Sequence, residues 1–227
     1  MDSAEGWCDY IGPSLLDILG LLPVTPTDTA LPLAVPVQWV EKFSSSSDTS
    51  QGRRVFWGRV ASGSVQAGQK ISVLPSGQTA TVAQVLGHTR QPGAVQAGHS
   101  AGIVLDRELD VSRGDWLLAA DSFETSRELK ATVAWMDDEP LVAGRVYRAL
   151  HGHRWVKAKV KRIVHKLDIN TLAEESANQL DANAIGHVEL TLQEAIVGRP
   201  FCQSRVLGSL VLVDTATHKT AGAVLIN

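Results

Sequence analysis

Residues 55–85 read VFWGRVASGSVQAGQKISVLPSGQTATVAQV, and this stretch decides the fold. Side chains alternate with a period of two from Val55 to Val60, and β-branched residues are dense over 79–85; both patterns are typical of strands. Two tight turns are predicted, one at Ser62-Gly63-Ser64 and one at Pro75-Ser76-Gly77, because proline presets φ and glycine accepts a positive φ. Three short strands joined by two turns indicate a small closed β-barrel.

The same stretch contains glycines with the spacing of a phosphate-binding P-loop, at Gly63 and Gly68. A P-loop needs lysine directly after the second glycine, then a hydroxyl residue and a helix. Here Gln69 follows the glycine, and Ile71 opens a strand-like run. The sequence therefore predicts a hairpin turn here and no nucleotide site.

Size and composition limit the class of protein. The chain has 227 residues, 44% hydrophobic and 20% charged, with a formal net charge of −3. It can hold one large or two ordinary domains, and its net charge argues against bulk nucleic-acid binding. The two cysteines, Cys8 and Cys202, are far apart and predict neither a disulfide framework nor a zinc site. No basic leader and no apolar run of about 18 residues is present, so we expect a cytoplasmic protein without a membrane segment.

The chain divides into three predicted parts. Residues 1–32 carry a short helix at 11–20 followed by a proline-rich linker, and two turns of apolar helix need another surface to cover them. Residues 33–121 form the first β-barrel, whose first strand is predicted at 33–43, before a serine-rich loop at 44–52. The boundary lies within 119–126.

Residues 127–227 are predicted to form a second all-β barrel or sandwich, because β-rich segments follow one another with short connections. A helix is predicted over residues 171–180, where Glu174 and Glu175 suit the positive end of the helix dipole. The strands are predicted at 129–136, 145–151, 154–165, 185–192, 207–213 and 222–226.

The densest positive charge lies between residues 145 and 166, with eight bases and no acid. A strand is predicted to begin at His153. One face of this strand carries Trp155, Lys157, Lys159 and Lys161. The other face carries the even-numbered residues from Val156 to Val164, which are apolar except for Arg162. A basic row beside an aromatic side chain suits a phosphate backbone or an acidic partner. The alternative is an ordinary solvated sheet face, protected at its edge by lysines.

Other polar groups carry weaker signals. His151 and His153 are predicted on one face of a strand, but no third metal ligand stands at a recognisable spacing. The acids at 137–139 predict a solvated turn, and His165 could hydrogen-bond Asp168. No catalytic, cofactor-binding or metal-ligating residue is predicted.

A series of motifs along nearly the whole chain resembles the C-terminal two-thirds of the large subunit of bacterial sulfate adenylyltransferase (ATP sulfurylase), within the elongation-factor-like GTPase family. The motifs are GPSLL (12–16), PVQWV (36–40), GRVASGSVQAG (58–68), LPSG (74–77), DVSRGD (110–115), VAWMDDEPL (133–141), DINTL (168–172), AIG (184–186) and LVD (212–214). The strings at 133–141 and 168–172 separate this subfamily from ordinary elongation factors.

The resemblance implies two β-barrels that follow a GTPase domain, like domains two and three of elongation factors. GTP and Mg²⁺ would belong to that GTPase domain, which would pack on the helix at 11–20, and no cofactor is expected within residues 1–227. The implied role is non-catalytic: docking the catalytic subunit and supporting GTP-driven formation of adenylyl sulfate. The predicted partner-binding residues, Trp155, Lys157, Lys159 and Lys161, come from the basic strand and not from the resemblance. The alternative hypothesis is a freestanding RNA- or protein-binding barrel that uses the basic strand 153–165.

Overall fold

The computed structural model describes residues 12–22, 28–42 and 54–227. Its single helix in these ranges, α1 (Leu15–Leu21), is shorter and later than predicted, because Ser14 caps it: Ser14 Oγ accepts a hydrogen bond from Asp17 N, and Ser14 N donates to the Asp17 carboxylate. No residue of α1 is buried. The predictions for Cys8, for the linker at 23–27 and for the serine-rich loop at 44–52 lie outside the described residues.

The first barrel is built from nine short strands. They are β1 (Ala34–Pro36), β2 (Trp39–Lys42), β3 (Arg54–Arg59), β4 (Ser64–Val65), β5 (Lys70–Leu74), β6 (Thr79–Leu86), β7 (Val95–Gln96), β8 (Ser100–Leu105) and β9 (Trp116–Ala119). Seven of them form one sheet in the order β1-β9-β5-β6-β8-β3-β2.

The predicted single strand at 33–43 is wrong in one informative respect. The chain breaks after Pro36, so β1 pairs with β9 while β2 pairs with β3 at the other end of the sheet. The switch is made at adjacent residues: Val37 N donates to Asp115 O, and Gln38 N donates to Trp57 O, both over 2.8 Å. One segment therefore joins the two ends of the sheet and closes the barrel.

Within the deciding stretch both predicted turns are confirmed, with Gly63 and Gly77 at φ +68° and +72°. The structure adds a two-residue strand, β4, between the first turn and β5. Lys70 begins strand β5, so the P-loop-like spacing is a turn followed by a strand, as predicted.

The second barrel follows β9. Its strands are β10 (Thr125–Trp135), β11 (Leu141–Val142), β12 (Val146–His151), β13 (Arg154–Leu167), β14 (Glu174–Glu175), β15 (Gln179–Leu180), β16 (Ile185–Val197), β17 (Ser209–Val213) and β18 (Thr220–Ile226). The sheet order is β12-β17-β18-β10-β16-β13-β14, and β12 also pairs with β13. That pairing closes six long strands into a barrel.

The helix predicted over 171–180 is wrong. Glu174 and Glu175 pair instead with Leu167 and Lys166 as strand β14, and Leu180 pairs with Leu141 in a separate two-stranded sheet. The acidic residues suit a helix start locally, but cross-strand contacts made after chain reversal determine the structure of this segment.

Each barrel has its own apolar core, and a third cluster of buried residues joins them. Trp116 and Leu118 from β9 meet Val197 and Leu207 of the second barrel in this third cluster. The indole of Trp116 also stacks on the ring of His151, with centroids 5.0 Å apart. The two barrels therefore share buried surface. In the ranges that the structure describes, no helix is long and apolar enough to cross a membrane.

Candidate partner-binding surface

Strand β13 shows the alternation that the sequence predicts, up to its bulge. Val156, Ala158 and Val160 are buried, while Trp155 is 43% exposed and Lys157, Lys159 and Lys161 are exposed. The pairing with β16 shifts register between Val160 and Arg162 and again between Ile163 and His165. The first shift reverses the alternation, so the prediction that Val164 shares the face of the even-numbered residues before it is wrong: its side chain is 43% exposed.

Five of the eight bases in this region are already paired with carboxylates. Arg145 bonds Glu139 and Asp214, Arg154 bonds Asp115 and Glu194, Lys161 bonds Glu128, Arg162 bonds Glu189, and Lys166 lies 4.0 Å from Glu175. The hydrogen bonds from Thr191 and Lys161 hold the pKa of Glu128 below its usual value, and that from Arg162 does the same for the pKa of Glu189. These ion pairs neutralise most of the positive charge of residues 145–166.

The remaining bases form a compact group. Lys157 and Lys159 make no ion pair with any residue that the structure describes. The guanidinium of Arg148 lies 4.7 Å from the ring centroid of Trp155, a cation–π contact. Arg148 sits opposite Lys157 in the pairing of β12 with β13. We call Arg148, Trp155, Lys157 and Lys159 the basic surface.

Sequence reasoning predicted three of these four side chains and missed Arg148. The signal was present, because a two-residue turn at Gly152-His153 sets the register of the hairpin and places Arg148 across from Lys157. The sequence-based prediction also included Lys161 in this group. Lys161 follows the same face, but its amine is 3.1 Å from a carboxylate oxygen of Glu128.

The two histidines at the end of β12 do not share a face. His151 is fully buried, whereas His153 lies in the turn that follows, where Gly152 has φ +59°. Burial lowers the pKa of His151 to about 4, despite a 3.1 Å hydrogen bond from Nε2 to Leu207 O. His151 is therefore neutral at pH 7 and serves the contact between the barrels. The pKa of His153 is also lowered, first by burial and then by Arg113.

His165 does not bond Asp168. Its Nδ1 lies 3.5 Å from a carboxylate oxygen of Glu174, and its ring contacts that of His187. Asp168 instead holds the following turn by accepting hydrogen bonds from Thr171 N and Asn170 N, which lower its pKa. The residues that the structure describes contain no group of three or more metal-ligating side chains.

Arg154 connects the barrels at the other end of the hairpin turn. Its guanidinium bonds Asp115 of the first barrel over 3.1 Å and also bonds Glu194 of β16. Burial is the main influence on Asp115 and raises its pKa, while the N–H of Ser112 and the charge of Arg154 oppose that rise. The predicted turn at Arg113-Gly114-Asp115 is confirmed, with Gly114 at φ +97°.

The two barrels have the fold of the C-terminal domains of elongation-factor-like proteins. The crystal structure of sup35 complexed with GDP superposes with a TM-score of 0.75 over 96% of this chain and 52% of its own, at 18% identity. Residues 128–227 match the family model described as GTP-eEF1A C-terminal domain-like.

Within that class, the chain is homologous to the C-terminal portion of sulfate adenylyltransferase subunit 1. It is 35% identical over 218 residues to this subunit from Citrobacter koseri, covering 96% of the chain and 45% of the relative. It is 34% identical over 222 residues to the subunit from Erwinia tasmaniensis, covering 97% and 45%. The bifunctional enzyme CysN/CysC of Xylella fastidiosa is 37% identical over 215 residues, covering 94% and 34%.

These figures confirm the family resemblance and correct its extent. The chain spans 34% to 45% of the length of these relatives, less than the two-thirds expected from the motifs. The motif series covers the barrels and the helix before them. The part of each relative outside the match is therefore more than half of its length, and not the expected third.

Proposed function

We propose that this chain is the non-catalytic β-barrel portion of a sulfate adenylyltransferase large subunit and docks the catalytic subunit of that enzyme. The observation that carries the proposal is the homology, which extends over 96% of the chain to a relative that is named as subunit 1. The proposed role is to support GTP-driven formation of adenylyl sulfate from ATP and sulfate in the cytoplasm. GTP and Mg²⁺ are proposed to bind a GTPase domain and not these barrels.

The basic surface is the proposed docking site. Three cations around a half-exposed tryptophan provide the aromatic and arginine side chains that are enriched in binding hot spots. Two lysines that make no ion pair within the described residues favour an acidic surface on the other protein, because complementary charge steers association. Lys161 contributes little by this reasoning, since Glu128 and Glu189 already neutralise it.

The test is to mix the chain with the catalytic subunit and measure complex formation by size exclusion with light scattering. We expect a complex at micromolar concentrations and at least a tenfold loss of affinity in Lys157→Glu/Lys159→Glu, since each substitution reverses a charge at the interface. The matched control is Lys219→Glu, an exposed lysine on the same barrel but outside the basic surface. Equal weakening by the control, or none by the double variant, would contradict the assignment of the surface.

A second candidate function rests on the same four side chains. The cation–π pair of Arg148 and Trp155 beside two lysines could also bind an RNA backbone and one base. RNA binding would then weaken steeply with salt, with a slope of log K against log salt that becomes about one unit shallower for each phosphate-contacting lysine removed. Binding that is absent or independent of salt excludes this candidate.

A further inference from the structure

A cavity of about 370 Å³ opens between the two barrels. The first barrel contributes Arg59 and Val60, and the second contributes His153, Arg205 and Val206. This volume lies within the range of small-molecule sites, which occur preferentially where domains meet. Both barrels must be in place to form the cavity.

Two guanidinium groups line the cavity. Arg59 donates from Nε to Gly98 O over 3.0 Å, which orients the group and leaves both terminal nitrogens for other acceptors. The side chain of Arg205 is exposed and makes no hydrogen bond or ion pair with the residues that the structure describes. Arginine forks match the geometry of phosphate, sulfate and carboxylate oxygens. Two such forks suit a doubly charged group.

One acidic residue in the cavity lining offsets part of the positive charge of the two arginines. Asp28 also lines the cavity, but its Oδ2 already accepts a hydrogen bond from the buried hydroxyl of Ser204. The two arginines therefore leave a net positive charge of one in the cavity.

The rest of the lining is apolar. Val60 and Ala61 are buried parts of the first barrel, Pro36 ends β1, and Val206 is 44% exposed on the opposite side. Gly152 adds no side chain at this position. Of these residues only Val206 exposes much apolar surface, and a flat or aliphatic body beside the charged group would remove that surface from water.

We propose that this cavity binds a small organic phosphate monoester. Its oxyanion is held by Arg59 and Arg205, and its organic body contacts the exposed Val206. The site uses none of the four side chains of the basic surface, so it does not depend on the docking proposal. Because the cations come from different barrels, the ligand would also strengthen the contact between them.

The test is isothermal titration calorimetry of the whole chain with phenyl phosphate, inorganic phosphate and phenol. We expect phenyl phosphate to bind with a Kd below about 1 mM, inorganic phosphate at least tenfold more weakly, and phenol without measurable saturation. Arg59→Gln and Arg205→Gln should each weaken phenyl phosphate at least tenfold. Arg107→Gln, which removes an exposed arginine outside the cavity lining, should leave the Kd unchanged.

Thermal unfolding of each variant establishes that it is folded. Val206→Glu provides a second probe, because it places a negative charge at the cavity without removing either arginine, and it should abolish binding. The proposal is overturned by absence of saturable binding, by equal affinity for phenyl phosphate and inorganic phosphate, or by arginine variants that bind as tightly as the unaltered chain.

Discussion

At the scale of single residues, His151 makes the stability of the protein depend on pH. Its pKa is about 4 in the folded chain and about 6.5 in an unfolded one, so the unfolded state binds more protons between these values. Stability therefore falls as the pH drops through this window. Between pH 7 and pH 5 we expect the free energy of unfolding to decrease by about 2 kcal/mol from this group alone.

Urea unfolding at both pH values measures this loss. His151→Phe keeps a ring against Trp116 but removes the titrating group, so the variant should be less stable at pH 7 yet lose most of the pH dependence. His88→Gln alters a histidine outside the contact between the barrels and should retain the full dependence. An unchanged slope in His151→Phe would show that other groups cause it.

Gly152 is a second residue with a strict requirement. It has φ +59°, and a Cβ atom there would lie 2.6 Å from Cζ2 of Trp116. Gly152→Ala should therefore lower the free energy of unfolding by the cost of a left-handed alanine, about 1 kcal/mol, plus about 1–3 kcal/mol for the clash. Gly68 has φ +85°, but a Cβ atom added there would meet no other atom within 4 Å. Gly68→Ala should therefore lower the free energy of unfolding only by the cost of the left-handed alanine, about 1 kcal/mol. Equal losses in the two variants, measured by urea unfolding, would contradict this account of the turn.

At the scale of helices and strands, the structure agrees with the sequence where a local period specifies the element. The alternation in β13 predicts both its buried and its exposed residues as far as Val160. It fails at Val164, because a bulge depends on how two strands pair and not on either strand alone. The same reason explains the false helix at 171–180.

The candidate site was partly predictable for a related reason. Trp155, Lys157 and Lys159 could be placed on one face from their spacing alone. The sequence could not predict which bases lack an ion pair, because the paired carboxylates are 33 to 40 residues away. Arg154 bonds Asp115, just before β9, and Glu194 on β16, while Lys161 bonds Glu128 on β10. Neither the cavity nor the stacking of Trp116 on His151 has a local sequence signal.

Helix α1 supplies the prediction at this scale. Leu15, Leu16 and Leu19 are 72%, 78% and 57% exposed, an apolar surface that fits the proposed contact with a GTPase domain. Leu16→Ser/Leu19→Ser should change the free energy of unfolding by less than about 0.5 kcal/mol, since neither side chain is buried. It should abolish capture of the separately expressed N-terminal portion of the Citrobacter koseri relative in a pull-down. Leu172→Ser, an equally exposed leucine in the second barrel, should leave capture intact; loss in both variants would contradict a specific role for α1.

At the scale of the whole molecule, the contact between the barrels determines whether they unfold together. Trp116 is central to it: the side chain is 2% exposed, belongs to the cluster that includes Val197 and Leu207, and stacks on His151. Arg154 adds a charged link through Asp115. Because residues on both sides are buried by the contact, we expect the intact chain to unfold in a single cooperative transition.

Trp116→Ala should separate the two barrels. Truncating a buried tryptophan costs about 3–5 kcal/mol, and here much of that cost falls on the contact and not on either barrel's own core. Differential scanning calorimetry should therefore show two transitions in the variant. Trp135→Ala is the matched control, because Trp135 is 1% exposed but lies within the core of the second barrel; it should lower the midpoint and keep one transition. Two transitions in the unaltered chain would show that the barrels are not coupled, and the cavity between them would then lack the rigid walls that ligand binding requires. One transition in Trp116→Ala would show that contacts other than Trp116 couple the barrels.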